Sequence, residues 1–256
     1  ANGKASYGVV ENNQVRAVSG EPWGDHAIGS EKIDLAKVRL LVPVIPPTFY
    51  AIGSNYHNHI VGRAEVKGTK PKFYDRPRVG YRANSALIAH GENIVIPADA
   101  TDQVQYEGEL VVVIGRKCKN LTRENALSAV LGYSIGNDVS ERTWQKADRT
   151  LWRAKNTDTF KPMGPWIETD LDLSQCQVVA RVNGRERQNY PVSDMFFSPL
   201  ELVSRLSRDV TLMPGDIISC GTSLGAIQAQ DLLGRKVRQD QGAGLRLLDQ
   251  TLRLYA

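Results

Sequence analysis

The chain has 256 residues, 41% hydrophobic and 23% charged, with 22 Gly and 12 Pro, which suits one large domain with or without a small appendage and excludes a disordered chain. A net charge of +4, scattered rather than striped, says little about nucleic acid, which is not expected as a partner, and suits an anionic small molecule equally well. Cys118, Cys176 and Cys220 form no CxxC pair, which excludes a zinc ribbon or disulfide framework and points to reduced thiols.

The opening, ANGKASYG, lacks the charged-then-apolar profile of a signal peptide. No apolar run approaches the ~18 residues of a membrane span, so the expectation is a cytoplasmic protein with no membrane partner. Tyr7–Val10 and Val15–Val18 read as a hairpin around Glu11-Asn-Asn-Gln14, an asparagine pair that favours a tight turn. Lys37–Val44 reads as extended chain, and Pro43, Pro46 and Pro47 place a boundary near Ile45. A small N-terminal domain, 1–45, is therefore expected before a catalytic domain, 46–256.

Beyond the boundary, Phe49–Gly53 is a short apolar run leading into a polar, aromatic loop, Ser54–His59. Strands are expected at Asn93–Ile96, Glu107–Ile114, Tyr133–Ile135, Trp166–Thr169, Gln177–Val182 and Asp216–Cys220. Helices are expected over Thr122–Leu131, with Thr122 as N-cap, and over Pro199–Ser207, where Leu202, Val203 and Leu206 share a face. Strands dominate and Gly and Pro punctuate heavily. The expected class is α+β and β-rich, a sandwich or roll with peripheral helices rather than a doubly wound sheet.

The segment Val104–Gly115 carries the chemistry. With side chains alternating along a strand, Glu107, Glu109, Val111 and Val113 share one face, while Tyr106, Leu110, Val112 and Ile114 share the other. That describes a buried strand with two adjacent carboxylates at its mouth. Such carboxylates repel and are costly to bury without a counter-charge. A hard divalent cation supplies it, and oxygen ligands suit Mg²⁺, Mn²⁺ or Ca²⁺ rather than zinc. An isolated ExE is more often two solvated side chains or partners of arginine. Asp138, in a polar turn after Leu131–Asn137, offers a third carboxylate or a simple cap, with Arg142 and Gln145 following at helical spacing.

These segments belong to an ordered set. Gly53-Ser-Asn-Tyr-His-Asn-His59 resembles the GxNYxxH of the fumarylacetoacetate hydrolase family, and Tyr106–Gly115 its YEGELxxVIG. Asn137–Arg142 resembles its NDVSxR, Ala154–Pro165 its AKxxDTFxPxGP, Val182-Asn-Gly184 its VNG, and Leu212–Thr222 its LxPGDxIxxGT. The resemblance implies a mixed β-sandwich roll that dimerises and binds Mg²⁺ or Mn²⁺, with Ca²⁺ as a substitute. It implies Glu107, Glu109 and Asp138 as metal ligands, Lys155 as catalytic lysine and His59 as acid/base. It further implies Arg142 and Gln145 lining the substrate site, and Thr222 contacting a substrate carboxylate.

The implied substrate is a small 2-oxo or diketo acid. The leading expectation is hydrolytic C–C cleavage of a 2,4-diketo or acylpyruvate-type acid. The alternatives are decarboxylation or keto–enol tautomerisation of a 2-oxo dicarboxylate, and a catalytically silent binding protein. Two departures bear on this choice. The family often places a Glu three residues after the histidine; here that position is Gly62, and Glu65 is the candidate substitute on a lid hinged by Gly62 and Gly68. Past Gly225, Leu233–Val237 and Gly242–Leu245 echo the family's last strands only faintly.

Overall fold

The structure, a computed structural model, describes residues 5–224 and 253–255. The chain forms two compact units, Ala1–Leu41 and Val42–Ala256. In the first, β1 (Tyr7–Glu11) and β2 (Gln14–Gly20) make the expected hairpin. Its turn residues, Asn12 and Asn13, both have left-handed backbone, φ 51° and 60°. A two-residue hairpin turn requires that conformation, and asparagine tolerates it well. β3 (His26–Ile28) and β4 (Ile33–Asp34) both pair with β2. The expected extended run from Lys37 is instead the end of a 3-10 turn, Leu35–Lys37, followed by unpaired chain. Asp34 caps that turn by accepting from the Ala36 N–H at 2.9 Å.

The second unit is built on a mixed sheet. Its strands in chain order are β5 (Phe49–Gly53), β6 (Arg78–Tyr81), β7 (Leu87–Ala89), β9 (Gly108–Ile114), β10 (Val130–Asn137), β12 (Lys161–Met163) and β15 (Ile217–Ser219). β8 (Val104–Gln105) pairs separately with β11 (Ser140–Glu141). The seven strands run in the order β6-β5-β15-β9-β10-β12-β7. The β15–β5 and β12–β7 pairs are parallel and the others antiparallel. A second sheet, β14-β13-β16, comprises β13 (Gln177–Val182), β14 (Arg185–Pro191) and β16 (Arg253–Tyr255).

Every residue of β9 is buried. Leu110, Val112 and Ile114 enter a common core with Val178 of β13, Tyr190 of β14 and Leu202 and Val203 of α4 (Pro199–Leu206). The alternation read from sequence thus places one face of β9 in the core between sheets. Helix α4 forms where expected; Ser198 is its N-cap and Pro199 lies in its first turn. Burying Leu202, Val203 and Leu206 stabilises the unit by roughly 1.5–3 kcal/mol each. The shorter helices are α1 (His57–Val66), α2 (Arg142–Ala147) and α3 (Trp152–Asn156). None of the described helices is long and apolar enough to cross a membrane.

Four local expectations are corrected. Thr122–Leu131 is not a helix: a single 3-10 turn, Ala126–Ala129, buries the two alanines, and β10 begins at Val130 opposite Ile114. The apolar spacing there reflects a turn packed against α4 and then a strand. Asn93–Ile96 is irregular chain, its Val95 N–H donating to Thr159 Oγ1 at 2.8 Å. Trp166–Thr169 keeps one bridge, between Glu168 and Tyr133, and the strand beside β10 is Lys161–Met163. Ser54–His59 is a loop only as far as Tyr56, because His57 opens α1. The tail segments Leu233–Val237 and Gly242–Leu245 lie outside the described residues.

Candidate active site

The site forms where β9 and β10 end side by side. Gly136 faces Glu109 and Asn137 faces Gly108 across the ladder. Glu107 lies one residue before β9 and Asp138 one after β10, so the pairing brings three carboxylates to one end. Their position is fixed by backbone: the Asp138 N–H donates to the Glu107 carbonyl at 2.9 Å, and the Glu107 N–H to Asn137 Oδ1 at 2.9 Å. One carboxylate oxygen each from Glu107, Glu109 and Asp138 lie within 4.8 Å of one another, and all three residues are buried.

Cations surround two of the three. Lys155, on α3 and itself 5% exposed, donates to Glu107 Oε2 and to Asp138 Oδ2, both at 2.5 Å. Arg142, at the start of α2, reaches Glu107 Oε1 at 2.5 Å, Gln105 Oε1 at 2.7 Å and Gln145 Oε1 at 2.8 Å. Arg82 grips Asp138 with two bonds of 2.8 Å. Lys161, 2% exposed, places Nζ 3.0 Å from Asp138 Oδ1. Burial alone would raise the pKa of Glu107, but Arg142 and Lys155 outweigh it and hold the carboxyl at about 2. Burial at Asp138 is likewise overcome by Arg82, Lys155 and Lys161, which hold it well below the usual range.

Glu109 differs. Among the described residues no cation pairs with it; Ser219 Oγ and the Gly221 N–H, at 3.0 Å, donate to its Oε2. Burial, then the charges of Asp138 and Glu107, push its pKa up to about 8. Gly221 suits this contact, because its φ is 90° and a Cβ there would lie 2.9 Å from the Ile52 carbonyl oxygen. A buried carboxylate without a counter-charge, beside two others within ligand reach, fits a divalent ion with hard oxygen donors. An ion held there at pH 7 would displace a proton from Glu109, whose raised pKa keeps it protonated below about 8. Affinity is expected to rise by up to ~10-fold per pH unit toward that value and level off above it. Calorimetry in buffers of different ionisation heat checks this; a pH-independent affinity with no proton release contradicts it.

His59 lies on α1 with Ile60 and Ala64 on the buried side. Its Nδ1 faces the Ser223 carbonyl at 3.4 Å. Burial, with Arg63 and Arg142 nearby, lowers its pKa against the opposing influence of Glu107 and Ser223. Glu65 is exposed, six residues further along the same helix, and no contact among the described residues joins it to His59. Gly62 lies inside α1 rather than at a hinge. A side chain there would meet Leu224, whose Cδ2 is 2.6 Å from the Cβ position.

Thr222 is buried, and its Oγ1 accepts from Gln188 Nε2 at 2.8 Å. Gln188 also accepts from the Gly108 N–H at 3.0 Å, tying Thr222 to the residue between Glu107 and Glu109. Sequence reasoning did not single out Arg82, Lys161, Gln188 or Ser219. For Lys161 a signal was present, since it stands between Phe160 and Pro162-Met163 in an apolar stretch.

The loop motif itself has a structural member. Asn55, fully buried, donates Nδ2 to the Phe197 and Cys220 carbonyls at 3.0 and 2.9 Å and accepts from the Phe197 N–H at 2.9 Å. Asn55→Ala strands three backbone groups and is expected to cost on the order of 3 kcal/mol or more. Denaturant unfolding checks this, and a loss below ~1 kcal/mol contradicts it.

Residues 48–245 match the fumarylacetoacetate (FAA) hydrolase C-terminal family. The chain belongs to the fumarylacetoacetate hydrolase family. Residues 1–43 match the Rv2993c-like N-terminal family. Among relatives of this fumarylacetoacetate hydrolase-family chain is the oxaloacetate tautomerase YisK of Bacillus subtilis, 35% identical over 203 residues, 77% of this chain and 66% of that protein. A solved 5-carboxymethyl-2-hydroxymuconate delta-isomerase from Mycobacterium smegmatis superposes with a TM-score of 0.76 at 37% identity, over 86% of this chain and 84% of that one. A maleylpyruvate hydrolase from Sphingobium sp. SYK-6, solved with manganese(II) and pyruvate, is 25% identical with a TM-score of 0.67, over 86% of each chain.

Proposed function

We propose that this chain enolises a small 2-oxo acid with the help of a divalent cation, and that the net reaction is keto–enol tautomerisation or isomerisation. The observation that carries the reading is the convergence of Glu107, Glu109 and Asp138 within 4.8 Å, with the Lys155 ammonium against two of them. Glu107, Glu109 and Asp138 would hold Mg²⁺ or Mn²⁺, which when bound supplies Lewis-acid stabilisation of negative charge on the substrate's oxygens. The manganese in the maleylpyruvate hydrolase supports this choice of metal.

The remaining steps belong to the side chains. Lys155 holds a fixed positive charge beside the oxygen on which enolate charge develops. The Ser223 carbonyl accepts the Nδ1 proton of a neutral His59, which leaves Nε2 free to take a proton from substrate carbon. Thr222 accepts from Gln188, and its hydroxyl hydrogen, whose other contact is a long 3.4 Å one to Tyr190 Oη, can turn to a substrate carboxylate. Arg142 and Gln145, bonded to each other at 2.8 Å, form the wall on the α2 side.

Hydrolysis asks for more: a base oriented to activate water. Gly62 carries no carboxylate and Glu65 faces solvent on α1, so the geometry favours enolisation over the hydrolytic expectation. Of the three relatives named above, the tautomerase and the delta-isomerase support this reading and the maleylpyruvate hydrolase the hydrolytic one. The test is an assay of oxaloacetate and of an acylpyruvate with Mg²⁺ or Mn²⁺. Loss of enol absorbance from oxaloacetate without CO₂ release supports tautomerisation. Pyruvate and a free acid from the acylpyruvate return the assignment to hydrolysis, and CO₂ release to decarboxylation. A homodimer is part of the proposal, and sedimentation of the full chain checks it.

A further inference from the structure

The cations touching Glu107 and Asp138 are all committed. Arg82 and Lys161 hold Asp138, Lys155 bridges Glu107 and Asp138, and Arg142 is divided among Glu107, Gln105 and Gln145. None of them has a guanidinium or ammonium wholly free for a second anionic end of a substrate. Arg63, one turn beyond His59 on α1, is exposed.

Arg187 is placed differently. Strands β13 and β14 pair Ala180 with Gln188 and then Arg181 with Glu186, so Arg187 is the extra residue of a β-bulge. A bulge breaks the alternation of the strand and re-aims the side chain it carries. The next residue, Gln188, points at the site, bonding the Gly108 N–H and Thr222 Oγ1. Tyr190, two residues on, donates to the Gly108 carbonyl. This face of β14 therefore lies directly over the carboxylate-bearing end of β9. The charge of Arg187 is felt at the Tyr106 hydroxyl, in the residue preceding Glu107.

The Nε–H of Arg187 also has no acceptor among the described residues: the side chain is partly buried and its Nε is shielded from solvent. No ion pair joins it to any described residue. A shielded N–H donor on a permanent cation, one residue from the group that positions Thr222, calls for an anion.

We propose that Arg187 is an anion subsite that binds the distal carboxylate of a 2-oxo dicarboxylate whose 2-oxo acid end is held at Glu107, Glu109, Asp138 and Thr222. The inference rests on the functional reading above and narrows its substrate class to dicarboxylates. The test compares two ligands of nearly equal shape, oxaloacetate and 2-oxobutanoate, which differ in carrying a carboxylate or a methyl group at the distal end. Both are titrated, freshly dissolved, into the Mn²⁺-loaded full chain and into Arg187→Met and Arg187→Lys.

Arg187→Met is expected to weaken oxaloacetate by ~10- to 100-fold while leaving 2-oxobutanoate within about 2-fold, and Arg187→Lys to recover part of the loss. Binding of 2-oxobutanoate by each variant shows that it has folded with its metal site intact. Equal weakening of both ligands, or of neither, overturns the subsite. A wild type that binds neither ligand with Mn²⁺ present overturns the functional reading itself, and the subsite with it.

Discussion

Glu109→Gln is expected to lower divalent-ion affinity by ~100-fold or more while leaving the fold intact. The substitution removes one negative charge from the carboxylate that no described cation neutralises. The glutamine carbonyl oxygen can still accept from Ser219 Oγ and the Gly221 N–H, so neither donor is stranded. Without metal at pH 7, Glu109 is held protonated, so glutamine replaces one neutral group by another and the variant should melt no lower than wild type. Calorimetric titration with Mn²⁺, alongside thermal unfolding, reads both quantities. Undiminished affinity in Glu109→Gln contradicts the ligand assignment. A collapse of stability would instead make Glu109 a structural anchor.

Lys155→Met should do the opposite: keep the metal and lose the reaction. Glu107 retains Arg142, and Asp138 retains Arg82 and Lys161, so neither buried carboxylate is left without a counter-charge. Methionine fills much of the lysine's volume. The substitution also removes an ammonium that competes with the ion for Glu107 Oε2 and Asp138 Oδ2. Mn²⁺ affinity is therefore expected to hold or to tighten. Turnover of the 2-oxo acid should fall by ~10²–10³-fold, the range found when one preorganised donor to a developing oxyanion is removed. A parallel loss of metal affinity and turnover would show that Lys155 builds the site rather than serving its chemistry.

Much of this arrangement was legible in the residues, for identifiable reasons. A buried strand announces itself by two-residue periodicity and apolar content, so Leu110, Val112 and Ile114 pointed to the core and Glu109 to its mouth. The Asn12-Asn13 turn was readable because few residue types adopt its backbone. Lys155 was not readable from composition: an isolated lysine reads as a surface residue, and the ordered family motifs singled it out. Arg82 had no local signal at all, since it reaches Asp138 across 56 residues of chain.

The errors have physical causes too. Thr122–Leu131 has helical apolar spacing because a tight turn and the start of a strand both bury residues on one side. In the His57–Val66 helix, the polar start Ser54–His59 masked a helical signal, Ile60 and Ala64 four residues apart and buried beside His59. Reading that stretch as a loop made Gly62 a hinge and Glu65 a partner for His59. As a helix, the same stretch turns Glu65 to solvent and sets Gly62 against Leu224.

On the proposed function, a divalent ion held by Glu107, Glu109 and Asp138 anchors the 2-oxo acid. The most direct test is anomalous scattering from a crystal grown with Mn²⁺ and oxalate, a mimic of the 2-oxo acid enolate. One strong manganese peak is expected within ligand distance of an oxygen of each of the three carboxylates, with oxalate on the same ion. A crystal with oxalate and manganese bound elsewhere, or with Lys155 still seated between Glu107 and Asp138 and no ion beside Glu109, would contradict it.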